Sequence, residues 1–403
     1  MKIVLISPNF YPEDTAIGLY NTELVDFLSK NGHQLSVVTG FPYYPQWKIW
    51  EEFKNKNNFL KENINGVKVY RFKQYVPSDP TFFKRIMHLI SFTLGSFINL
   101  FKLSKPDLVI GIIPFTSSAF LGWLLKLRYS SKLWIHVQDF EFDAALESGL
   151  LGSGSKTLIN MLMFIENKIL NKADITSTIS FGMMNKLQNK TRSKQYYLPN
   201  WIDASLFSSN LTHTHKYFTK DKFNILYSGN IGKKQDWDFF LEFSDKLSSF
   251  SEIEVILVGE GAEKEKITQK LINYKNVKHF NLVPIDDLPS LLFSADLHIL
   301  FQKHDIIDTV MPSKLLGMMA SGKPLLVSGN SNSEIAKIFN ESNVGFFFGN
   351  NSINDVIDCV YKLKNNELLY NELGENAKNY VTANFSKKTV LNKLLEEIEF
   401  YKK

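Results

Sequence analysis

Short runs of apolar residues recur along the chain, and each is followed by a longer segment with helical periodicity. Such runs lie at residues 2–7, 35–39, 67–72, 108–112, 133–137 and 175–180, and again at 224–228, 254–258, 277–280, 297–301 and 325–328. Short apolar runs that alternate with helical segments indicate βα units and parallel sheets. The pattern therefore predicts an α/β protein with two Rossmann-like, doubly wound parallel sheets.

A polar stretch without sustained periodicity separates the two sets of predicted strands, around residues 203–222. We therefore assign a first domain to residues 1–205, a linker to residues 206–222 and a second domain to residues 223–386. In open α/β sheets, ligands bind beyond the carboxyl ends of the strands. The glycine-containing loops of both domains are therefore expected to face one cleft.

Composition narrows the classes of partner. The 46 lysines and arginines exceed the 41 acidic residues and give a formal charge of +5. Only four of these cations are arginines, namely Arg71, Arg85, Arg128 and Arg192. Sequence-specific nucleic-acid readers depend on arginine forks. The composition therefore argues against nucleic acid, and it is compatible with a membrane surface or an anionic small molecule.

The sequence contains no recognisable membrane span or secretion signal. The first apolar run is too short for a signal-peptide core, and no run reaches the ~20 apolar residues of a spanning helix. The single cysteine, Cys359, rules out an intrachain disulfide and is typical of a reducing compartment. We therefore expect a cytoplasmic protein that is soluble or peripherally bound to a membrane.

Residues 82–105 are unusual, because cations flank an apolar centre and no acidic residue lies between Thr81 and Pro106. On a helix, one face would carry Ile86, Leu89, Ile90, Leu94, Phe97, Leu100 and Phe101, and the opposite face His88, Ser91, Gly95 and Asn99. A helix of this kind suits the interface of an anionic membrane. A core helix that packs on the sheet is the alternative.

The strongest local motif is the glycine loop YSGNIGKKQ, which follows the first strand of the second domain. Glycine lets backbone amides approach a ligand, and the helix after the loop points its positive end to the same place. The motif therefore predicts a diphosphate site in this loop. Lys233 and Lys234 either add charge to this site or are solvated loop lysines.

A second motif, Pro312-Ser313-Lys314, opens a helix in which Ser313 is the expected N-cap. A lysine in the first turn opposes the helix dipole. A bound phosphate would explain a lysine at position 314. The alternative is an exposed lysine that lowers the stability of the helix only slightly.

Three other motifs have structural explanations beside functional ones. Asp236 and Asp238 have the spacing of a metal site, but they start a helix, and we favour a capping role. Asp139, Glu141 and Asp143 follow a buried strand, and such a group could orient sugar hydroxyls or act as a base. A solvated loop is the alternative for Glu141 and Asp143. Gly18, at the entry to the first helix, either allows a ligand to approach or serves only the turn.

Taken together, these segments resemble the family 4 glycosyltransferases of the GT-B fold, in particular bacterial enzymes of colanic acid, O-antigen and capsule synthesis, including fucosamine-type transferases. The matching motifs occur in family order over nearly the whole chain. They are Ser7-Pro8-Asn9-Phe10-Tyr11-Pro12-Glu13 with Gly18, Pro42-Tyr43-Tyr44-Pro45, Gln138-Asp139, Leu198-Pro199-Asn200-Trp201, Gly229-Asn230-Ile231-Gly232 with Gln235, and Pro312-Ser313-Lys314 with Gly322-Lys323-Pro324.

The resemblance implies a nucleotide-sugar donor held mainly by the second domain, an acceptor near the first, and a C-terminal helix at residues 387–403 that packs back on the first domain. The implied catalytic residues are Gln138, Asp139 and Lys314. The implied donor contacts are Gly229, Asn230 and Gln235 near the diphosphate, Met311, Pro312, Ser313 and Lys314 near the sugar and phosphate, and Val283 and Pro284 near the base. Gly18 and Asn200 complete the implied binding set.

The chain departs from the family pattern in its charged residues. Two glutamates eight positions apart are usual, and the motif spacing places them at Thr309 and Gly317. The usual phosphate-binding Arg-Lys pair falls on Asn230 and Gln235, which leaves charge neutralisation mainly to Lys314. Recognition of the ribose is the function that these substitutions affect most.

We therefore predict a retaining, metal-independent glycosyltransferase that uses no cofactor. It would move a sugar from a nucleotide sugar, a UDP-sugar in preference to a GDP-sugar, to a saccharide linked to a polyprenyl diphosphate. It would meet the inner face of the cytoplasmic membrane through residues 82–105. A sugar-nucleotide epimerase of the same fold is one alternative, and a catalytically inactive partner that binds sugar nucleotide or lipid is the other.

Overall fold

The computed structural model describes residues 1–14, 16–114, 116–140, 142–143, 153–207, 214–305, 312–349 and 352–401. The chain forms two compact units. One comprises Met1–Pro199 together with Lys393–Lys403, and the other comprises Asn200–Asn392. The sequence pattern set this boundary slightly later, at residue 205, and part of the predicted linker lies outside the described residues.

The first unit is built on an eight-stranded sheet. Its strands are β1 (Lys2–Ile6), β2 (Gln34–Gly40), β3 (Phe59–Ile64), β4 (Val67–Phe72), β5 (Leu108–Ile113), β6 (Lys132–Val137), β7 (Ile175–Thr178) and β8 (Lys194–Tyr197). Their order is β3-β4-β2-β1-β5-β6-β7-β8, and only β3 and β4 pair antiparallel. The carboxyl ends of the parallel strands therefore meet at one edge of the sheet.

Helices connect these strands. They are α1 (Ala16–Lys30), α2 (Glu51–Lys54), α3 (Phe82–Leu100), α4 (Thr116–Tyr129), α5 (Ser153–Leu170) and α6 (Phe181–Lys190). All six residues of the central strand β5 are buried. Because both faces of such a strand are covered, it appears in the sequence as a continuous apolar run.

The second unit has a six-stranded parallel sheet. Its strands are β9 (Phe223–Asn230), β10 (Ile253–Glu260), β11 (Val277–Phe280), β12 (Leu297–Phe301), β13 (Leu325–Ser328) and β14 (Phe346–Phe348). Their order is β11-β10-β9-β12-β13-β14. The strand order turns back at β9, between β10 and β12, and the loops beyond such a reversal commonly bind ligands.

The helices of the second unit are α7 (Trp237–Leu247), α8 (Lys264–Leu271), α9 (Leu288–Ser294), α10 (Ser313–Ala320), α11 (Glu334–Ser342), α12 (Ile353–Asn365) and α13 (Glu367–Phe385). The last helix, α14 (Lys387–Phe400), begins in the second unit. Its final residues belong to the first unit.

All eleven strands that the apolar runs predict are present, and the prediction of two doubly wound α/β sheets is confirmed. The sequence pattern missed β3, β8 and β14, which are all edge strands. Edge strands are covered less completely than central ones, so their sequences need not be apolar. In β3 no residue is fully buried, and β14 has only three residues.

Helix α3 packs on the sheet with its less apolar side. His88, Phe92, Ser96 and Asn99 are buried, and a Cβ atom at Gly95 would overlap the Phe72 ring of β4. Glycine therefore allows the helix to approach the strand closely.

The opposite side of α3 exposes large apolar residues to solvent. They are Phe83, Met87, Ile90, Leu94, Phe97 and Ile98, followed by Phe101 just after the helix. The predicted stripe is confirmed for most of its members, but Leu100 is buried on the sheet side. Among the described residues, no helix is long and apolar enough to cross a membrane.

Candidate functional site

The carboxyl end of β9 approaches the first turn of α10 at Gly229 and Lys314. The φ angle of Gly229 is +140°, a backbone conformation that favours glycine. A Cβ atom at Gly229 would lie only 3.0 Å from the Cδ atom of Lys314. The structure thus brings together two residues that the sequence selected for phosphate binding, and the glycine leaves space for the lysine.

Lys314 is held by Tyr227, a residue that the sequence pattern did not single out. The Lys314 ammonium donates to the Tyr227 hydroxyl at 3.0 Å and lies 4.7 Å from the centre of its ring. The same hydroxyl donates to the Asn230 carbonyl at 2.7 Å. Burial raises the pKa of Tyr227, so the hydroxyl stays neutral. A tyrosine within an apolar strand is typical of core packing, and its sequence context gave no signal of this role.

Helix α10 begins without a side-chain cap. Pro312 occupies the N-cap position, and its carbonyl accepts from the Leu315 amide at 2.9 Å. The prediction of Ser313 as N-cap was wrong by one residue, because the fixed φ of proline suits the entry to the helix. Proline has no side-chain acceptor, so it provides no side-chain cap at a helix N-terminus, the kind of end that commonly binds anions. Met311 lies outside the described residues.

Gln235 closes the glycine loop on itself. Its side chain is buried, and its Oε1 atom accepts from the Gly232 amide at 3.1 Å. Asn230 is exposed at the carboxyl end of β9. Gln235 therefore shapes the loop, whereas Asn230 is at the surface where a ligand can reach it. Lys233 and Lys234 are also exposed.

Two further loops lie at the same edge, because β9, β10 and β11 are parallel neighbours. Lys264 joins these loops, donating to Glu260 at 2.7 Å and to Asn281 at 3.0 Å. Val283 and Pro284 follow, the first half-buried and the second exposed. An apolar pair at this rim is suited to contact the flat face of a base.

Asp236 is a helix cap, as the sequence predicted. Its Oδ1 atom accepts from the Phe239 amide at 3.1 Å at the start of α7. Asp238 is exposed and lies 3.4 Å from the Lys270 ammonium. The two carboxylates are thus used separately, and the capping interpretation is confirmed.

In the first unit, Gln138 and Asp139 follow β6 at the carboxyl edge of the sheet. The Gln138 amide lies 3.0 Å from His136 Nε2, and His136 Nδ1 lies 2.9 Å from the Ser177 hydroxyl. Burial lowers the pKa of His136 to about 3, so the ring is neutral and its Nε2 atom can accept from the amide. This contact orients the Gln138 side chain, and Asp139 beside it is exposed.

A buried carboxylate, Glu13, joins two loops at this edge. It accepts from the Tyr43 and Tyr44 amides, each at 2.8 Å, and from the Asn9 side chain at 2.9 Å. Burial raises the pKa of Glu13, and these donors oppose the shift. A Cβ atom at Gly18 would lie 2.7 Å from the Glu13 carbonyl oxygen. Close packing is therefore a sufficient reason for glycine at this position, and ligand binding by Gly18 stays a prediction.

Asp143, another carboxylate after β6, is not a solvated loop residue. The buried Lys190 ammonium lies 2.9 Å from Asp143 and 3.2 Å from Glu166. These ion pairs connect the segment after Asp139 to α5 and α6. Asn200 is half-buried and is the first residue of the second unit.

Two family models match consecutive parts of the chain. The model described as glycosyl transferase 4-like domain matches residues 15–201, and the model described as glycosyl transferases group 1 matches residues 212–380. The putative colanic acid biosynthesis glycosyl transferase WcaI of Escherichia coli strain K12 is 34% identical over 352 residues. The matched region covers 84% of this chain and 86% of that protein. The chain belongs to the family 4 glycosyltransferases.

Solved structures agree on the fold of this glycosyltransferase. Sucrose-phosphate synthase from Thermosynechococcus elongatus has a TM-score of 0.74 at 15% identity, with 99% of this chain and 98% of that chain covered. HepE of Anabaena, solved in complex with UDP-glucose, has a TM-score of 0.67 at 12% identity, with 99% of each chain covered. At these identities the likeness concerns the fold alone, which is GT-B.

The glycosyltransferase lacks a family glutamate where α10 meets its neighbour. Position 317 is a buried glycine, and a Cβ atom there would lie 3.0 Å from Leu292 Cδ1. A glutamate at this position would therefore need Leu292 to move. The other expected position, Thr309, lies outside the described residues.

Proposed function

We propose that this glycosyltransferase moves a sugar from a nucleotide sugar to a lipid-linked saccharide during the synthesis of a surface polysaccharide. The observation that carries this proposal is the arrangement of Lys314, Gly229 and the N-terminus of α10. Together they offer a fixed ammonium and backbone amides to a diphosphate. The name of the Escherichia coli relative, a putative colanic acid biosynthesis enzyme, supports the polysaccharide context.

The donor is held by the second unit in this proposal. The diphosphate contacts the glycine loop and Lys314, and the base contacts Val283 and Pro284. We favour a UDP-sugar over a GDP-sugar, because the related fold of HepE was solved with UDP-glucose. Charge neutralisation by Lys314 and α10, without a metal ion, is consistent with the use of Asp236 as a helix cap.

The reaction retains the configuration of the transferred sugar. The bond between the anomeric carbon and the leaving phosphate oxygen breaks, and the acceptor hydroxyl oxygen bonds to the same face of the sugar. The acceptor proton passes to an oxygen of the leaving diphosphate, so no separate protein base is required. Lys314 stabilises the charge that develops on the diphosphate, while Gln138 and Asp139 orient the sugar.

The acceptor is a saccharide on a polyprenyl diphosphate at the inner face of the cytoplasmic membrane. The exposed apolar side of α3 supports this proposal, because it carries large side chains between cationic ends. An interfacial helix buries such a face among lipid chains, and its cations attract anionic headgroups.

The test is to incubate the full chain with a panel of UDP- and GDP-sugars, with and without undecaprenyl diphosphate carrying one sugar. Release of nucleoside diphosphate that depends on the acceptor is expected, together with a product of unchanged anomeric configuration by NMR. Conversion of the donor sugar without acceptor would instead indicate an epimerase. Binding of a nucleotide sugar without turnover under all conditions would indicate an inactive assembly partner.

A further inference from the structure

An open apolar groove lies between helices α3, α4 and α5 in the first unit, with a cavity volume of about 250 Å³. Its walls include Leu89 and Ile90 from α3, Phe120 from α4, and Leu162 and Ile165 from α5. Apolar side chains from three helices therefore converge on one space.

The few polar side chains in the groove wall have partners inside the protein, and the Thr116 hydroxyl donates to Glu166 at 3.3 Å. The hydroxyls of Thr93 and Ser117 lie 2.6 Å apart, and the Thr93 hydroxyl donates to the Leu89 carbonyl at 2.7 Å. Their hydrogen-bonding capacity is thus largely used inside the protein. The surface left to a ligand is apolar and suits a hydrocarbon rather than a sugar or a phosphate.

The groove connects the exposed side of α3 to the segment that contains Asp139. Ile90 lies both on the exposed side of α3 and in the groove wall, and Phe142, three residues after Asp139, lines the groove as well. The ion pair of Asp143 with Lys190 fixes the chain next to Phe142. A chain lying in this groove would therefore extend from the outer face of α3 toward the segment of Asp139, which the proposed function places beside the transferred sugar.

The apolar surface around the groove continues onto α5, where Met161, Phe164 and Ile165 are exposed. Cations lie over aromatic rings on this side of the unit. Lys168 lies 4.5 Å from the centre of the Phe164 ring, and Arg128 lies 5.0 Å from that of Phe101. Lys168 also adjoins the wall residue Ile169. An apolar groove with a cation beside it complements an amphiphile that has a hydrocarbon chain and an anionic head.

The volume of the groove limits how much hydrocarbon it can hold. An apolar cavity of ~150 Å³ binds benzene, which has six carbons. By that measure, a groove of about 250 Å³ has room for roughly ten carbons, which is two isoprene units.

We propose that this groove binds the part of the acceptor's isoprenyl chain that lies nearest to its diphosphate. The proposal rests on the proposed function, because it takes the acceptor to be lipid-linked. The remainder of the chain stays in the membrane beside the exposed face of α3.

The first experiment measures binding of geranyl diphosphate and methyl diphosphate to the full chain by calorimetry, without vesicles. Geranyl diphosphate has two isoprene units on the same anionic head, so it should bind at least roughly tenfold more tightly. Equal affinities for the two probes would overturn the proposal.

Two variants separate the groove from the membrane-facing surface. Ile165→Trp adds bulk at the mouth of the groove and keeps the surface apolar, so it should remove the advantage of geranyl diphosphate and leave sedimentation with anionic vesicles unchanged. Phe97→Ser removes an exposed apolar ring that does not line the groove, so it should weaken vesicle binding and preserve geranyl diphosphate binding. Circular dichroism and UDP binding check that both variants are folded.

The outcomes also distinguish this proposal from the proposed function. Transfer to a water-soluble acceptor without any preference for geranyl diphosphate would overturn the groove alone. Tight geranyl diphosphate binding without sugar transfer would support the groove and contradict the proposed enzyme activity. Concentration-dependent dimerisation that buries α3 and α5, with no binding of geranyl diphosphate, would assign the surface to a second copy of the chain and overturn the proposal.

Discussion

Lys314 is the residue whose charge the proposed reaction uses most directly, and its position depends on two neighbours. Gly229 leaves the space that the lysine stem occupies, and the ring and hydroxyl of Tyr227 fix the ammonium. A flexible lysine would lose side-chain entropy on binding a diphosphate. These contacts order part of the side chain before the donor binds. The ammonium is then already in place to stabilise the negative charge that develops on the diphosphate in the transition state.

Lys314→Ala should lower kcat/KM by at least roughly tenfold, because it removes a positive charge from the proposed leaving group. Initial rates of nucleoside diphosphate release measure the effect. Lys270→Ala is the matched control, since Lys270 is a lysine of the same unit that pairs with Asp238 on the surface. Equal kinetics of Lys314→Ala and the parent would place Lys314 outside the site.

Tyr227→Phe should lower turnover by roughly fivefold, which corresponds to a hydrogen bond of about 1 kcal/mol. The ring remains, so the loss should be smaller than that of Lys314→Ala. In the Lys314→Ala background the same substitution should cost clearly less, because the part of its effect that passes through the lysine is already lost and only the bond to the Asn230 carbonyl remains. Tyr361→Phe on α12 serves as the control, and additive losses in the double variant would contradict the positioning role.

The sequence reveals some site residues and hides others for physical reasons. Gly229 and Lys314 stand out because a glycine within a strand and a lysine in a first helical turn are both locally unfavourable without a purpose. Tyr227 has the sequence features of a core residue. Its second role, the contact with Lys314, joins residues that lie 87 positions apart along the chain, so only the fold reveals it. Glu13 likewise contacts Tyr43 and Tyr44, which only the fold brings near it.

Among the secondary-structure elements, α3 has an unusual distribution of polarity. Its buried side includes His88, Ser96 and Asn99, while its exposed side is largely apolar. The sequence predicted the two faces but left open which of them meets the sheet. Gly95 decides this point, because only that side can approach the Phe72 ring.

Replacing Ile90, Leu94, Phe97 and Phe101 with serine should release the protein from anionic vesicles. Each large apolar side chain contributes about 1.5–3 kcal/mol when it is fully buried. Even if all four side chains insert only partly, the partition coefficient of the protein between vesicles and water should fall by at least roughly a hundredfold. Vesicle sedimentation at low salt measures it. Ile272→Ser with Leu368→Ser provides exposed apolar controls in the other unit, and unchanged sedimentation of the α3 variant would exclude this face from lipid contact.

The buried side of α3 should make the stability of the first unit sensitive to acid. Burial lowers the pKa of His88 to about 4, and Arg85 nearby acts in the same direction. Between pH 6.5 and about 4, the unfolded chain therefore binds a proton that the folded chain excludes. The contribution of neutral His88 to stability is complete above that window and falls by ~1.4 kcal/mol per pH unit within it.

His88→Asn tests this dependence, since asparagine keeps a donor near the Tyr75 carbonyl but does not titrate. The difference in free energy of unfolding between parent and variant should shrink as the pH falls from 7 to 5. Denaturant titrations at both pH values measure the difference. A difference that is independent of pH would show that His88 has an ordinary pKa in the folded protein.

For the whole molecule, the apolar runs were sufficient to predict two parallel-sheet units, because central strands buried on both faces have little freedom in composition. They could not predict the edge strands β3, β8 and β14, whose exposed sides accept polar residues. The chain also crosses between units in a way that local patterns do not reveal, since α14 begins in the second unit and ends in the first.

Two compact units predict that a donor held by one of them protects that unit most strongly. A ligand at 100 times its dissociation constant adds about 2.7 kcal/mol of stability to the body that it binds. With UDP at 100 times its dissociation constant, amide exchange through global opening should slow by up to roughly a hundredfold in β9 and β10, and much less in β1 and β5.

Hydrogen-exchange mass spectrometry of these four strands measures the contrast, with uridine as a control that lacks the diphosphate. Equal slowing in all four strands would mean that the two units unfold as one cooperative body, and no slowing in β9 and β10 would contradict a nucleotide site in the second unit.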